Sequence, residues 1–120
     1  MTKNESQEMN LETILKLQKR KGTVHAIDVA EELGYSKPSV SRAVGIMKKD
    51  GFIVVRADGT IDFTDSGREK AARILDRHKS LTDALVKMGM ERGAAEENAC
   101  RVEHVLTEDA YETIKNYFKV

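Results

Sequence analysis

Apolar side chains recur every three or four residues along most of this chain, and that rhythm predicts a mainly helical protein. It predicts a first helix over about residues 7–20 and a short second helix over about residues 26–33. Gly22 and Gly34 follow these two segments, where glycine commonly ends a helix. A third helix is predicted over about residues 36–50.

A β-hairpin is predicted directly after the third helix. Two short β-type runs in FIVVRADGTIDFT flank Asp58-Gly59, a dipeptide that favours a tight turn. The order helix, short helix, turn, helix, hairpin is the pattern of a winged helix-turn-helix. Residues 1–63 are therefore expected to form a DNA-binding domain whose hairpin is the wing.

The rest of the chain, residues 64–120, is expected to form a helical domain. Its predicted helices cover about residues 64–88, 94–105 and 108–118, and the first of them has the apolar spacing of a helix that packs on another. The expected fold class is mainly α with a small β wing: a winged helix-turn-helix plus a helical domain.

Composition narrows the class of protein. The 120 residues are 40% hydrophobic and 33% charged, with zero net charge and a single cysteine. No apolar run approaches the roughly 20 residues of a membrane span, and MTKNESQEMN is not a signal peptide. We therefore expect a soluble cytoplasmic protein that has neither a membrane partner nor a disulfide framework.

The third helix carries the residues expected to read DNA. Between Lys37 and Lys49 there are four basic residues and no acidic one. Ser36 is a suitable N-cap, and Pro38 suits the first turn because its missing N–H costs nothing there. Small polar residues let a helix approach the major groove, and Arg42 is the candidate for reading a base edge. The predicted DNA contacts are Ser36, Lys37, Pro38, Ser39, Ser41, Arg42, Lys48 and Arg56, with Lys37, Lys48 and Arg56 assigned to phosphates.

A candidate metal site lies in ACRVEHVL. Cys100, Glu103 and His104 stand at i, i+3 and i+4, which on a helix places them on one face within reach of one cation. Further ligands could come from Met9 and Glu12, which share a face of the first helix, and from His78 in the apolar stripe of the long helix. Taken alone, each of these residues is more often a core or surface residue than a metal ligand.

Three segments in the same order, SKPSVSRAVGIMKKDGFIVV, TDSGREKAARILDRH and ACRVEHVL, resemble the diphtheria toxin repressor family of iron- and manganese-dependent repressors. The likeness runs from about Met9 to Phe118. It implies that residues 64–120 are a helical metal-binding and dimerisation domain, and that the homodimers bind palindromic operators upstream of metal-uptake genes. The chain lacks a counterpart of the SH3-like domain of longer members, so a short form is expected.

The resemblance also implies a ligand set. The family's iron-responsive branch uses the positions of Met9, Cys100, Glu103 and His104. Its manganese-responsive branch keeps Glu and His at the positions of Glu12 and His78, so a second metal there, with Glu96, is a further expectation. Thr82 stands where an acidic residue is expected four positions after His78, which puts an ancillary site in doubt.

These observations predict a metal-activated repressor in which an ion joins the DNA-binding half to the dimerisation half. Fe²⁺ is the expected metal because Met and Cys are poor ligands for hard Mn²⁺, while Ni²⁺, Co²⁺ or Zn²⁺ would substitute in vitro. Mn²⁺ activation and a metal-independent winged-helix regulator are the alternatives. A metalloenzyme lacks support because no nucleophile–base pair or phosphate loop is present, and no small organic ligand is expected.

Overall fold

The computed structural model describes residues 3–120, except for the side chain of Lys3. The prediction of a mainly α protein with a small β wing is confirmed. The elements are α1 (Lys3–Lys21), α2 (Ala26–Leu33), α3 (Lys37–Lys49), β1 (Ile53–Val55), β2 (Ile61–Phe63), α4 (Asp65–Lys87), α5 (Arg92–Val102) and α6 (Glu108–Phe118). The chain divides into two compact units, the first ending at Ala72 and the second formed by Arg73–Val120.

In the first unit, α1, α2 and α3 surround an apolar core. Gly22 and Gly34 follow α1 and α2 with φ of 89° and 69°, a left-handed conformation that glycine adopts without a steric penalty. Both predicted helix ends are confirmed. The fully buried large apolar side chains of this unit are Leu11, Ile14, Leu17, Val24, Val29, Val40, Met47, Ile53 and Ile61.

The start of α3 is fixed by its own sequence. The Ser36 hydroxyl accepts a hydrogen bond from the Ser39 amide at 3.3 Å, and Pro38 lies in the first turn, as predicted. The helix is followed by the expected hairpin, in which β1 pairs antiparallel with β2 in the register Ile53↔Phe63. Gly59 takes a φ of 86° at its tip.

The beginning of α4 packs tightly on the segment just before β1. The Thr64 hydroxyl accepts a hydrogen bond from the Gly67 amide at 3.1 Å and donates one to the Gly51 carbonyl at 2.6 Å. A Cβ at Gly67 would lie 1.8 Å from the carbonyl oxygen of Phe52. Only glycine therefore permits this approach between the first turn of α4 and the backbone of Phe52.

In the second unit, the later part of α4 packs with α5 and α6. Its core contains Leu81, Ala99 and Tyr111, with Leu106 and Ile114 packed against them. None of the helices in residues 3–120 combines the length and apolar character that crossing a membrane requires.

Helix α5 starts and ends earlier than its predicted range of about 94–105. The Glu91 carboxylate accepts hydrogen bonds from the amides of Gly93 and Ala94 at 2.9 and 3.0 Å, which caps the helix and lowers the pKa of that carboxyl. The helix ends at Val102, and Glu103 is its C-cap residue. The expectation that one helix carries Cys100, Glu103 and His104 was therefore wrong: His104 lies in the turn that follows α5.

Candidate metal centre and nucleic-acid interface

A buried carboxylate between two imidazoles is the main chemical feature of the second unit. Glu103 Oε2 lies 2.7 Å from His78 Nδ1, and Glu103 Oε1 lies 3.1 Å from His104 Nε2. The exposed fraction of these side chains is 0% for Glu103, 3% for His104 and 16% for His78. Three of the predicted ligands are thus brought together, although 25 residues separate His78 from Glu103.

Three different structural elements position these side chains. His78 projects from α4, Glu103 closes α5, and His104 belongs to the turn between α5 and α6. The Glu103 amide still donates to the Ala99 carbonyl at 2.9 Å, so Glu103 keeps helical geometry, with φ of −59° and ψ of −28°. The convergence therefore depends on how the helix end packs against α4.

The donor set fits a divalent transition metal. Imidazole nitrogen and carboxylate oxygen bind such ions at about 2.0–2.2 Å, so neighbouring ligands lie about 3 Å apart. The 3.1 Å between His104 Nε2 and Glu103 Oε1 matches that spacing, and the 2.7 Å contact of His78 is a hydrogen-bond distance. A buried carboxylate is costly without compensating charge, which a bound cation supplies.

The remaining predicted ligands of the second unit are placed differently. Cys100 is half-buried on α5, whereas Glu96 is exposed to solvent. The hydroxyl of the buried Thr82 donates to the carbonyl oxygen of His78 at 2.8 Å within α4. A hydroxyl committed to its own helix replaces the acidic residue expected there, which weakens the expectation of a separate ancillary site.

Within the first unit, Met9 and Glu12 lie on α1. The Met9 sulfur accepts a hydrogen bond from the Tyr35 hydroxyl at 3.5 Å, and Tyr35 directly precedes the N-cap of α3. The Glu12 side chain is only 3% exposed, and its carboxylate lies 3.6 Å from Lys16 Nζ. A buried carboxylate on the core face of a helix is unusual for a purely structural residue.

Sequence analysis missed Arg77, the neighbour of His78 on α4. Its guanidinium donates to the carbonyl oxygens of Glu103 and Leu106 at 2.9 and 3.0 Å. A single basic residue on a long helix usually indicates a solvated surface, so only its position beside His78 could have drawn attention to it.

The surface of α3 is suited to contact nucleic acid. Seven of the eight predicted DNA-contacting residues belong to α3 or its N-cap, and all eight are exposed: Ser36, Lys37, Pro38, Ser39, Ser41, Arg42, Lys48 and the wing residue Arg56. The Ser36 hydroxyl is already used as the helix cap, so it orders the helix whatever else it contacts.

Arg56 has a protein partner in the wing. Its guanidinium bonds the Asp62 carboxylate at 2.6 Å, and this contact is the main reason why the pKa of Asp62 lies below its ordinary value. The side chain of Arg56 is nevertheless 59% exposed. A phosphate contact by Arg56 stays a prediction, and it would have to compete with Asp62.

Two family models together match almost the whole chain. Residues 4–61 match the model described as iron dependent repressor, N-terminal DNA binding domain. Residues 64–119 match the model described as iron dependent repressor, metal binding and dimerisation domain. The chain therefore belongs to the iron-dependent repressor family, a family of DNA-binding regulators rather than enzymes.

Curated relatives agree with this assignment. The diphtheria toxin repressor of Corynebacterium diphtheriae is 34% identical over 106 residues, which cover 85% of this chain and 46% of that protein. The iron-dependent repressor IdeR of Mycobacterium tuberculosis is 35% identical over 103 residues, covering 85% and 45%. This chain thus spans just under half the length of these two relatives. An uncharacterised helix-turn-helix regulator of Methanocaldococcus jannaschii is 27% identical and is covered over 78% of its length.

Solved structures share the fold. A manganese-dependent transcriptional repressor in complex with manganese superimposes with a TM-score of 0.85 at 23% identity, over 94% of this chain and 52% of the other. The manganese regulator SloR gives a TM-score of 0.80 at 21% identity, over 99% and 55%. At these identities the likeness establishes the fold alone.

Proposed function

We propose that this chain is a metal-activated transcriptional repressor that binds palindromic double-stranded DNA as a homodimer. The observation that carries the proposal is the buried His78–Glu103–His104 cluster, because a desolvated carboxylate flanked by two imidazoles is chemistry suited to a divalent transition metal. The cluster lies within residues 64–119, the part of the chain that matches a metal-binding and dimerisation domain.

The proposed division of labour follows the two family matches. Residues 1–63 would bind DNA and residues 64–120 would bind metal and form the dimer. Met9, Glu12, Glu96 and Cys100 complete the ligand set that the family resemblance implies, and their role stays a prediction. A bound divalent ion supplies a fixed positive charge that compensates the buried carboxylate.

The residues of the chain do the remaining work. His78 contacts one oxygen of Glu103 and His104 the other, so the two imidazoles set the direction of the carboxylate. In the first unit, Ser36 caps α3, and the proposed role of Arg42 on that helix is to contact a base edge. In a dimer, two such helices must lie about 34 Å apart, or a multiple of that, to enter successive major grooves.

DNA affinity is expected to be higher in the metal-bound form because the ion selects the arrangement that fits the operator. A coupling of this kind is reciprocal, so DNA must raise metal affinity by the same factor. The operators are expected to control genes of metal uptake or metal homeostasis, as the family resemblance implies.

Fe²⁺ is the proposed physiological metal. Met9 and Cys100 supply sulfur, which favours Fe²⁺ over the harder Mn²⁺. Ni²⁺, Co²⁺ and Zn²⁺ bind many such sites more tightly in vitro, so we expect them to act as substitutes in purified protein.

A manganese-responsive repressor is the second candidate, and one observation favours it. His78, the residue shared with the manganese-responsive branch, lies 2.7 Å from Glu103 and therefore belongs to the cluster. A gel shift on DNA from upstream of the protein's own gene separates the candidates. Anaerobic apoprotein is titrated with Fe²⁺, with Mn²⁺ and with a chelator, at two salt concentrations.

If Fe²⁺ is the physiological metal, the gel shift should appear at a lower concentration of Fe²⁺ than of Mn²⁺, and it should be absent with chelator. DNA binding should also weaken at higher salt, because phosphate contacts release counterions. Activation of DNA binding by Mn²⁺ but not by Fe²⁺ would identify manganese, rather than iron, as the physiological metal. A shift that survives the chelator would favour a metal-independent regulator.

A further inference from the structure

Arg77 holds the backbone of the same residue whose carboxylate His78 contacts. On α4 the two are neighbours: His78 Nδ1 lies 2.7 Å from the Glu103 carboxylate, and Arg77 donates to the Glu103 carbonyl oxygen at 2.9 Å. Two consecutive residues of α4 thus contact Glu103, one at its side chain and the other at its main chain.

The end of α5 needs such a donor. The last carbonyl groups of a helix have no intrahelical partner, and burying them without a hydrogen bond is costly. In the turn after α5, the Val102 carbonyl accepts from the amides of Val105 and Leu106, both at 3.1 Å. Arg77 donates hydrogen bonds to the carbonyl oxygens of Glu103 and Leu106, so one guanidinium connects the two ends of the turn that contains His104.

The other contacts of Arg77 fix its guanidinium in place. It lies 4.7 Å from the ring centre of Tyr111 on α6 and bonds the Glu108 carboxylate at 2.6 Å. The side chain of Glu108 is 73% exposed and that of Arg77 is 17% exposed. The solvent-exposed ion pair with Glu108 adds little stability. The position of the Arg77 guanidinium is therefore set mainly by its hydrogen bonds to the two carbonyls and its contact with the Tyr111 ring.

We propose that Arg77 is a positioning residue for the metal centre, an inference that rests on the proposed function. By fixing the turn from Glu103 to Leu106, it brings the Glu103 carboxylate and the His104 imidazole together before an ion binds. Residues that orient metal ligands typically change affinity by about 10- to 100-fold when they are replaced. Arg77 is not itself a ligand, because a guanidinium has no lone pair to offer.

The test is titration of the full-length apoprotein with Co²⁺, followed by its visible absorption, in wild type, Arg77→Met, Arg77→Lys and Lys79→Met. Removing a positive charge near a cation site should tighten binding on Coulombic grounds. The positioning role predicts the opposite sign, namely a loss of about 10- to 100-fold in Arg77→Met with an altered Co²⁺ spectrum at saturation. Lys79→Met removes one charge from the exposed neighbour of His78 and should not weaken binding.

In wild type, Nη1 of Arg77 donates to both carbonyls and Nη2 bonds Glu108. Arg77→Lys keeps the charge but replaces the two nitrogens with a single ammonium, so we expect a smaller loss of affinity with partial return of the wild-type spectrum. If thermal unfolding shows that apo Arg77→Met does not fold, the Co²⁺ affinity and spectrum of Arg77→Lys are compared with those of wild type instead. Wild-type affinity and spectrum in the variant that folds would overturn the positioning role. Failure of wild-type protein to bind Co²⁺, Fe²⁺ or Mn²⁺ would instead overturn the proposed function.

Discussion

Replacing Glu103 by glutamine tests the metal centre with a change of charge and almost no change of shape. The carboxylate is fully buried and lies 2.7 and 3.1 Å from the two imidazoles. An amide of the same size can still hydrogen-bond to His78 and lie against His104, but it is a much poorer metal ligand. Loss of residues that orient metal ligands costs about 10- to 100-fold in affinity, so loss of a ligand should lower metal affinity by at least the upper end of that range.

Thermal unfolding with and without metal measures this loss. At a metal concentration about 100-fold above the wild-type Kd, binding adds about 2.7 kcal/mol to the stability of the folded state. For a chain of this size each kcal/mol raises Tm by roughly 3–5 °C, so the wild-type shift should be roughly 8–14 °C. In Glu103→Gln the same metal concentration is near the new Kd, and about 0.4 kcal/mol, or roughly 1–2 °C, remains.

The matched control is Glu97→Gln, the same chemical change at an exposed position on α5. It should keep the full wild-type shift. A shift of roughly 8–14 °C in Glu103→Gln would mean that the Kd for metal is unchanged, and would show that the buried cluster is not the metal site.

Three further predictions concern DNA contact and folding. Arg42→Ala should cost about 1–3 kcal/mol of operator affinity and relax specificity at one base pair, measured by fluorescence anisotropy on a set of single-base operator variants; uniform weakening would contradict base reading. Lys48→Ala should weaken binding to all sequences alike and reduce the salt slope by about 1, and an unchanged slope would refute a phosphate contact. Asp28→Asn should lower stability by about 1 kcal/mol in urea unfolding near neutral pH, because the Asp28 carboxylate binds Lys21 at 2.6 Å and the His25 amide at 2.8 Å. Those contacts lower the pKa of Asp28, mainly through Lys21, so the wild-type advantage should be complete above the ordinary Asp pKa and disappear as pH falls through the lowered one; an advantage independent of pH would contradict this.

Local rules explain why much of the fold could be predicted from the sequence. Gly34 closes α2, Ser36 caps α3, and Asp58-Gly59 turns the hairpin, and each of these depends on residues within a few positions along the chain. Such signals act through backbone conformation and short-range hydrogen bonds, which the sequence shows directly.

The candidate site was only partly predictable because its contacts are tertiary. The i, i+3, i+4 spacing indicated a shared helix face, but α5 ends at Val102 and His104 lies in a turn. The pairing of His78 with Glu103 depends on the packing of α4 against that turn, and no local pattern encodes it. The role of Arg77 could not be predicted for the same reason, since its partners are backbone carbonyls 26 and 29 residues away.

The central claim is that metal binding and DNA binding are coupled, and one measurement tests it most directly. The metal affinity of the full chain is determined with and without a saturating duplex that carries the palindrome from upstream of its own gene. Coupling of about 1–3 kcal/mol predicts that the duplex raises metal affinity by roughly 5- to 150-fold, the same factor by which metal raises DNA affinity. Equal metal affinity with and without the bound duplex would contradict the account.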